Sequence, residues 1–246
     1  MYKCDATTVE GFVQQLANLV AKGYRYYVLA SIPARKELAA VDAKLINLYK
    51  LDLTKSARYR RKLAGRANVA YLRYGQTFVL IGTEGLHRFY DENSHALDVR
   101  REPIRFHGYS IGSGKGGDGR FHASVMIHAD AFTELLALFT GFAVHRSAET
   151  LVREFQSIQF SPFARIRRQY LRLLREVNEL RHAAGFEPVP TSALRLRRLP
   201  VKVFRSESSG GFADGRTGGL QPNFSRILGH WPEDGKCDRN DVKEEC

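Results

Sequence analysis

The side chains best suited to chemistry lie between Val99 and Ala129, which we predict to form a β-hairpin turning in the glycine-rich run 112–119. Strand side chains alternate between faces, so symmetrical pairing about this run places Tyr109 opposite His122. The face that results is polar. The side chains on this face that could take part in a reaction or bind an anion are those of Arg105, His107, Tyr109, His122 and His128. Histidine exchanges protons near neutral pH, tyrosine supplies a further acid, and arginine holds an anion.

This group predicts a catalytic surface of His107, His122 and Tyr109, with Arg105 as an anion clamp. Such a set suits metal-independent RNA cleavage in which the 2′-hydroxyl is the nucleophile. Attack of the tyrosine on a DNA phosphate, as in rolling-circle strand transfer, is the alternative. The paired His-x-His that binds the metal of those initiators is absent from the sequence.

The glycine-rich run is not a nucleotide-binding loop. Lys115 is followed by Gly116 instead of Ser or Thr, so the Walker A pattern fails. The run also joins two predicted strands, whereas a phosphate loop leads from a strand into a helix. We therefore expect neither a cofactor nor a bound metal, and Lys115 and Arg120 are predicted to contact phosphates from a mobile hairpin tip.

Charge points to a polyanionic partner. The 246 residues contain 38 Lys+Arg against 26 Asp+Glu, a net charge of +12, and most of the basic residues are arginine. The run 55–66 holds six basic residues, no acidic one, and a tyrosine. Basic side chains neutralise phosphates while an aromatic ring stacks on a base. The predicted binding residues here are Arg58, Tyr59, Arg60, Arg61 and Lys62; a solvated helix face is the alternative interpretation.

A second basic feature lies on the longest predicted helix, Phe163–Ala184. One stripe of this helix is apolar, and an adjacent stripe carries arginine at three- and four-residue spacing: Arg165, Arg168, Arg172 and Arg175. Like charges at this spacing repel each other unless something neutralises them. A phosphate backbone would do so, and so would acidic residues of the fold or of a protein partner.

Periodicity predicts the elements that position these residues. Predicted helices cover Val9–Lys22, Ala34–Lys50, Ala131–Phe142 (capped by Asp130) and Ser147–Ile158. Predicted strands cover Tyr24–Ile32, the hairpin Asn68–Gly82, Leu86–Tyr90 and Leu194–Phe204. The order predicts an α+β fold, with a mostly antiparallel sheet built from hairpins and packed with several helices.

Residues 1–204 are predicted to be a single domain with a net charge of +14, followed by a polar and flexible tail, 205–246. Apolar residues at helical spacing in Asn223–Trp231 could let part of this tail dock. The three cysteines show no zinc or disulfide pattern. Since there is no signal peptide and no apolar run of about 18 residues, we expect a cytoplasmic protein without a membrane partner.

These features favour a nucleic-acid-binding protein. RNA or a single strand is preferred over duplex, because exposed tyrosines and a sheet face suit stacking better than insertion into a groove. The alternatives are a nuclease or strand-transferase that uses the histidine surface, and an interaction module for an acidic protein. The sequence does not indicate the oligomeric state.

Overall fold

A computed structural model of the chain describes residues 2–205; the predicted tail beyond Arg205, including Asn223–Trp231, lies outside the described residues. The α+β class is confirmed. The helices are α1 (Val9–Ala21), α2 (Leu38–Tyr49), α3 (Lys55–Leu63), α4 (Arg88–Glu92), α5 (Ala129–Ala143), α6 (Ala148–Ser157) and α7 (Ala164–Ala183). The strands are β1 (Tyr26–Ser31), β2 (Val69–Tyr74), β3 (Thr77–Gly82), β4 (Leu97–Asp98), β5 (Ile104–Phe106), β6 (Tyr109–Lys115) and β7 (Phe121–Ile127).

The first sheet has four antiparallel strands in the order β2-β3-β1-β4. The predicted hairpin Asn68–Gly82 is confirmed: β2 and β3 are joined by Gly75 and Gln76, and Gly75 has a φ of 56°. Strands β2 and β3 are buried on both faces, as their nearly continuous apolar sequences require. One face packs on α1, and the other meets α2 and α4 through Tyr49 and Phe89.

The second sheet has three antiparallel strands in the order β5-β6-β7. Its apolar face packs on α1, where the rings of Phe12 and Phe106 lie 4.3 Å apart. The predicted register is wrong. An additional turn at His107 and Gly108, whose φ values of 45° and 74° are both left-handed as in a type I′ turn, joins β5 to β6. The β6–β7 hairpin does turn in the glycine-rich run, but residues 112–115 extend β6 and the pairing is centred on Asp118. Tyr109 therefore pairs with Ile127 instead of His122.

Two predicted strands are also wrong. Leu86–Tyr90 leads into helix α4, because the ring nitrogen Nδ1 of His87 accepts a hydrogen bond from the amide of Phe89 at 2.9 Å and caps the helix. Leu194–Phe204 forms no strand; it runs past α1 and makes one isolated bridge, between Ala6 and Phe204. No helix in residues 2–205 is long and apolar enough to cross a membrane.

A buried ion pair fastens α2 to β2. Both Arg73 Nε and Nη2 donate to the carboxylate of Asp42, at 2.9 Å for the closest contacts, and the Tyr71 hydroxyl donates to it at 2.5 Å. The side chains of Arg73 and Asp42 are only 8% and 12% exposed. Burial, followed by the hydrogen bond to Asp42, raises the pKa of Tyr71, which keeps this hydroxyl a donor.

We expect Asp42→Asn to lower the free energy of unfolding by about 3 kcal/mol, because it leaves the buried guanidinium of Arg73 with only the exposed carboxylate of Asp5, 3.2 Å away, as a counter-charge. Urea denaturation followed by circular dichroism measures this loss. The matched control is Glu37→Gln, which removes an exposed carboxylate that makes no capping hydrogen bond at the start of the same helix. Equal stability of the two variants would contradict the role of the pair.

Candidate nucleic-acid interface

The three predicted catalytic residues do not share a surface. Tyr109 is 2% exposed, and its hydroxyl accepts a hydrogen bond from the amide of Ser161 at 2.8 Å. Burial raises the pKa of this tyrosine. Since Tyr109 pairs with Ile127 while His122 pairs with Gly114, the tyrosine and the histidine point to opposite faces of the sheet. Their predicted grouping is wrong.

The three histidines do not form one group either, because His107 and His128 lie at one end of the second sheet and His122 lies at the other. His107 is exposed in the β5–β6 turn, where its ring packs on Phe106 and Tyr74. The amide of His128 donates to the carbonyl of Gly108 at 2.7 Å, so His128 lies beside this turn. His122 is six residues away, about 20 Å along an extended strand.

His128 has a structural role. It is the N-cap of α5, and its Nδ1 accepts a hydrogen bond from the amide of Asp130 at 3.4 Å. The predicted cap, Asp130, therefore lies two residues further along, in the first turn of the helix.

The structure groups His122 with a residue that the sequence left unassigned. Nε2 of His122 lies 2.9 Å and 3.0 Å from the two carboxylate oxygens of Asp118. The amide of Arg120 donates to the same carboxylate at 3.1 Å. The hydrogen bond from His122, then that from Arg120, holds the pKa of Asp118 below its usual range. This carboxylate therefore stays ionised and fixes the imidazole.

A glycine makes the Asp118–His122 pair possible. A Cβ at Gly116 would lie 2.7 Å from Cδ2 of His122 and 2.8 Å from Oδ1 of Asp118, both closer than real contacts allow. Gly114 makes room in the same way for Arg165, because a Cβ there would lie 3.1 Å from its Nη2. Gly114 is also the direct cross-strand partner of His122. Asp118, His122 and Arg165 therefore form one group, here called the His122 cluster.

Arg165 begins the predicted arginine stripe, which the structure presents to solvent along α7. The opposite stripe is buried and consists of Ile166, Tyr170, Leu173, Leu174 and Val177. Arg172 and Arg175 are loosely paired with the carboxylates one turn on, at 3.6 Å and 3.8 Å. Arg165 and Arg168 are exposed and form no ion pair with any residue in 2–205. Part of the stripe is thus available to an anion.

A side-chain amide fixes the position of this stripe against the sheet. Gln169 Oε1 accepts from the amide of Ile127 at 2.8 Å, and Gln169 Nε2 donates to the carbonyl of Ile127 at 3.0 Å. The side chain of Gln169 thereby makes the two hydrogen bonds that a neighbouring strand would make to Ile127 at the open edge of β7. Arg165, one helical turn earlier, is directed toward Gly114.

Two arginines beyond the stripe are anchored in the fold. Arg181 is 3% exposed and donates to the carbonyls of Ala143, Arg146 and Glu187, at 2.7 Å, 2.9 Å and 2.6 Å. A sequence signal existed, since position 181 continues the buried stripe four residues after Val177. Arg198 stacks on the ring of Phe163 at 4.3 Å, which brings a further cation to the start of α7.

The basic run 55–66 forms α3, which has no buried residue and is attached to the first sheet. Arg58 is an anchor: its Nη2 and Nε donate to the carbonyls of Leu51 and Leu53, at 3.2 Å and 3.3 Å. Its predicted phosphate contact therefore competes with these hydrogen bonds. Tyr59 is 64% exposed and its ring is open to stacking. Of its basic neighbours, Arg60 and Lys62 are exposed and Arg61 is half-buried.

The remaining predicted contacts lie around the second sheet. Lys115 and Arg120 are exposed at the β6–β7 tip, and Arg105 is exposed on the face that carries His122. Phe121 shares its face of β7 with the buried Val125 and Ile127, yet it is 47% exposed. The guanidinium groups of Arg25 and Arg100 each lie 5.8 Å from its ring centroid, a cation–π arrangement that no sequence pattern indicated.

Within residues 2–205, no group of three or more His, Cys, Asp or Glu side chains is placed to hold a metal ion. No protein-family model matches the chain, and searches of curated proteins and of solved structures find no match either.

We expect Gly116→Ala to separate His122 from Asp118, because the added Cβ occupies the space of the imidazole. Long-range ¹H–¹⁵N spectra of the imidazole nitrogens measure this as loss of the hydrogen-bonded Nε2 signal. Gly117→Ala is the control, since a Cβ at Gly117 meets nothing within 4 Å. An unchanged His122 spectrum in Gly116→Ala would contradict the pairing.

Proposed function

We propose that the protein binds RNA or single-stranded nucleic acid through the arginine stripe of α7 and the adjoining face of the second sheet. The observation that carries this proposal is that Arg165 and Arg168 are exposed and have no carboxylate partner in residues 2–205, and that Arg165 reaches Gly114 of strand β6. Guanidinium groups bind phosphate in a bidentate manner, and releasing the counterions of the phosphate makes binding favourable.

Two further observations support a preference for single-stranded nucleic acid over duplex. Tyr59, 64% exposed beside Arg60, offers a flat surface for a base. α7 is buried along one stripe over most of its length, so it lies against the protein body and does not project into a groove. A single strand can follow such a surface and stack where a ring is exposed.

An acidic protein would also neutralise these arginines. A strand of nucleic acid fits better because Arg165 lies at Gly114, the residue before the exposed Lys115, so successive phosphates of one strand can meet several cations. If the protein binds no oligonucleotide, an acidic protein becomes the expected partner of these arginines.

We expect Arg165→Ala combined with Arg168→Ala to reduce the salt dependence of binding to single-stranded RNA. Losing two phosphate contacts lowers the slope of log K against log salt by about 1.4. Fluorescence anisotropy between about 50 and 200 mM salt measures this slope. Arg35→Ala with Lys36→Ala is the matched control, since it removes two exposed cations from the β1–α2 connection.

The same titrations on single-stranded DNA and on duplex test the preference for RNA or a single strand. Tighter binding to duplex than to either single strand would contradict that preference. No binding to any of the three at low salt would overturn the proposed function, and so would an equal effect of the control variant.

A further inference from the structure

We propose that the His122 cluster cleaves single-stranded RNA by internal transesterification. This inference rests on the proposed function, because it assigns a chemical step to the same nucleic-acid surface. The substrate class is an RNA phosphodiester whose 2′-hydroxyl is free. The observation behind it is a carboxylate-fixed imidazole and an unpaired guanidinium on neighbouring positions of one sheet face.

The Asp118 carboxylate determines which nitrogen of the His122 imidazole carries the proton. At 2.9 Å and 3.0 Å from both carboxylate oxygens, Nε2 of His122 carries the proton and donates it. The lone pair of the neutral ring is then on Nδ1, and no residue in 2–205 forms a hydrogen bond to that atom. His122 thus presents a proton acceptor to solvent, with its tautomer and ring orientation fixed by Asp118.

Arg165 supplies the anion site next to this acceptor. Gly114 and His122 are directly paired, so positions on their shared face are about 5 Å apart. The guanidinium of Arg165 takes the place that a Gly114 side chain would fill. A phosphodiester held by Arg165 therefore brings its neighbouring ribose within reach of His122.

The reaction needs no co-reactant. Nδ1 of His122 removes the proton of the ribose 2′-hydroxyl, and the 2′-oxygen attacks the adjacent phosphorus. The bond between phosphorus and the 5′-oxygen breaks, and that oxygen takes up the proton from the imidazolium through solvent. The products are a 2′,3′-cyclic phosphate and a free 5′-hydroxyl. Arg165 neutralises the added negative charge on the phosphorane as it forms.

The cleavage assay uses the full chain and a fluorescent single-stranded RNA of mixed sequence, in the presence of a metal chelator. We expect products that end in a 2′,3′-cyclic phosphate, and no cleavage of the same strand with 2′-O-methyl riboses. His122→Ala should reduce the rate about 100-fold, the usual range for loss of a general base. His182→Ala is the control, since this exposed histidine lies in the last turn of the same arginine-bearing helix.

Chemical rescue separates catalysis from structure. Imidazole added to the buffer should restore part of the rate of His122→Ala and leave the wild-type rate unchanged, because a free base replaces the missing ring. Asp118 acts through His122 as a positioning residue. Asp118→Asn, which keeps an oxygen for the Arg120 amide, should lower the rate about tenfold. The affinity of this variant for 2′-O-methyl RNA should match that of wild type.

The assays also distinguish the two proposals. Wild type that binds 2′-O-methyl RNA but cuts no unmodified RNA overturns the catalytic inference and leaves the binding function standing. Wild type that binds neither strand overturns both. Cleavage that is equal in wild type and His122→Ala, or that yields linear phosphates only, assigns the activity to a contaminant and overturns the inference.

Discussion

The double hydrogen bond between Gln169 and Ile127 is the interaction on which the arrangement of the interface depends. An edge strand leaves backbone donors and acceptors unpaired. Here the side-chain amide of Gln169 forms hydrogen bonds with both the backbone N–H and the backbone carbonyl of Ile127. Because donor and acceptor are both specified, α7 cannot slide along β7 without losing two hydrogen bonds. This constraint fixes the position of α7 along β7, and therefore places the guanidinium of Arg165 beside Gly114, the cross-strand partner of His122.

Helical periodicity then gives arginines of one helix three different environments. Arg181 falls on the buried stripe, and its charge is distributed over three carbonyl oxygens that end neighbouring segments. Arg172 and Arg175 face carboxylates one turn later, so part of their charge is compensated at the surface. Arg165 and Arg168 precede those carboxylates and keep their charge uncompensated by residues 2–205. The basic character of α7 is therefore concentrated at its first two turns, next to the second sheet.

The sequence predicted α1, α2, α5, α6, α7 and the β2–β3 hairpin because their signals are local: apolar spacing, capping residues and a two-residue glycine turn. It did not predict α3, which has no apolar stripe, or the short helix α4. The register of the second sheet was not predictable in this way. The glycine-rich run does contain the β6–β7 turn, but residues 112–115 of this run extend β6, and the additional β5–β6 turn has a weak signal because a histidine, His107, has positive φ there. Tyr109 was misplaced as a direct consequence, because it pairs with Ile127 on the buried face. The arginine stripe was found because it is periodic, whereas the contact of Asp118 with His122 and the approach of Arg165 to Gly114 depend on tertiary structure and could not be read from spacing.

Glycines 114 and 116 connect the fold to the proposed chemistry. Glycine weakens a strand, because it costs backbone entropy and contributes no packing, so its presence in β6 needs a reason. At both positions φ is ordinary, and conformational freedom is not what these sites require. They require the absence of a Cβ, since the space is occupied by Arg165 at one and by the His122–Asp118 pair at the other. The glycine-rich run is thus a steric device that lets three charged or titratable groups converge on one face of a strand, and its cost in strand stability is offset by the packing of α1 on the opposite face.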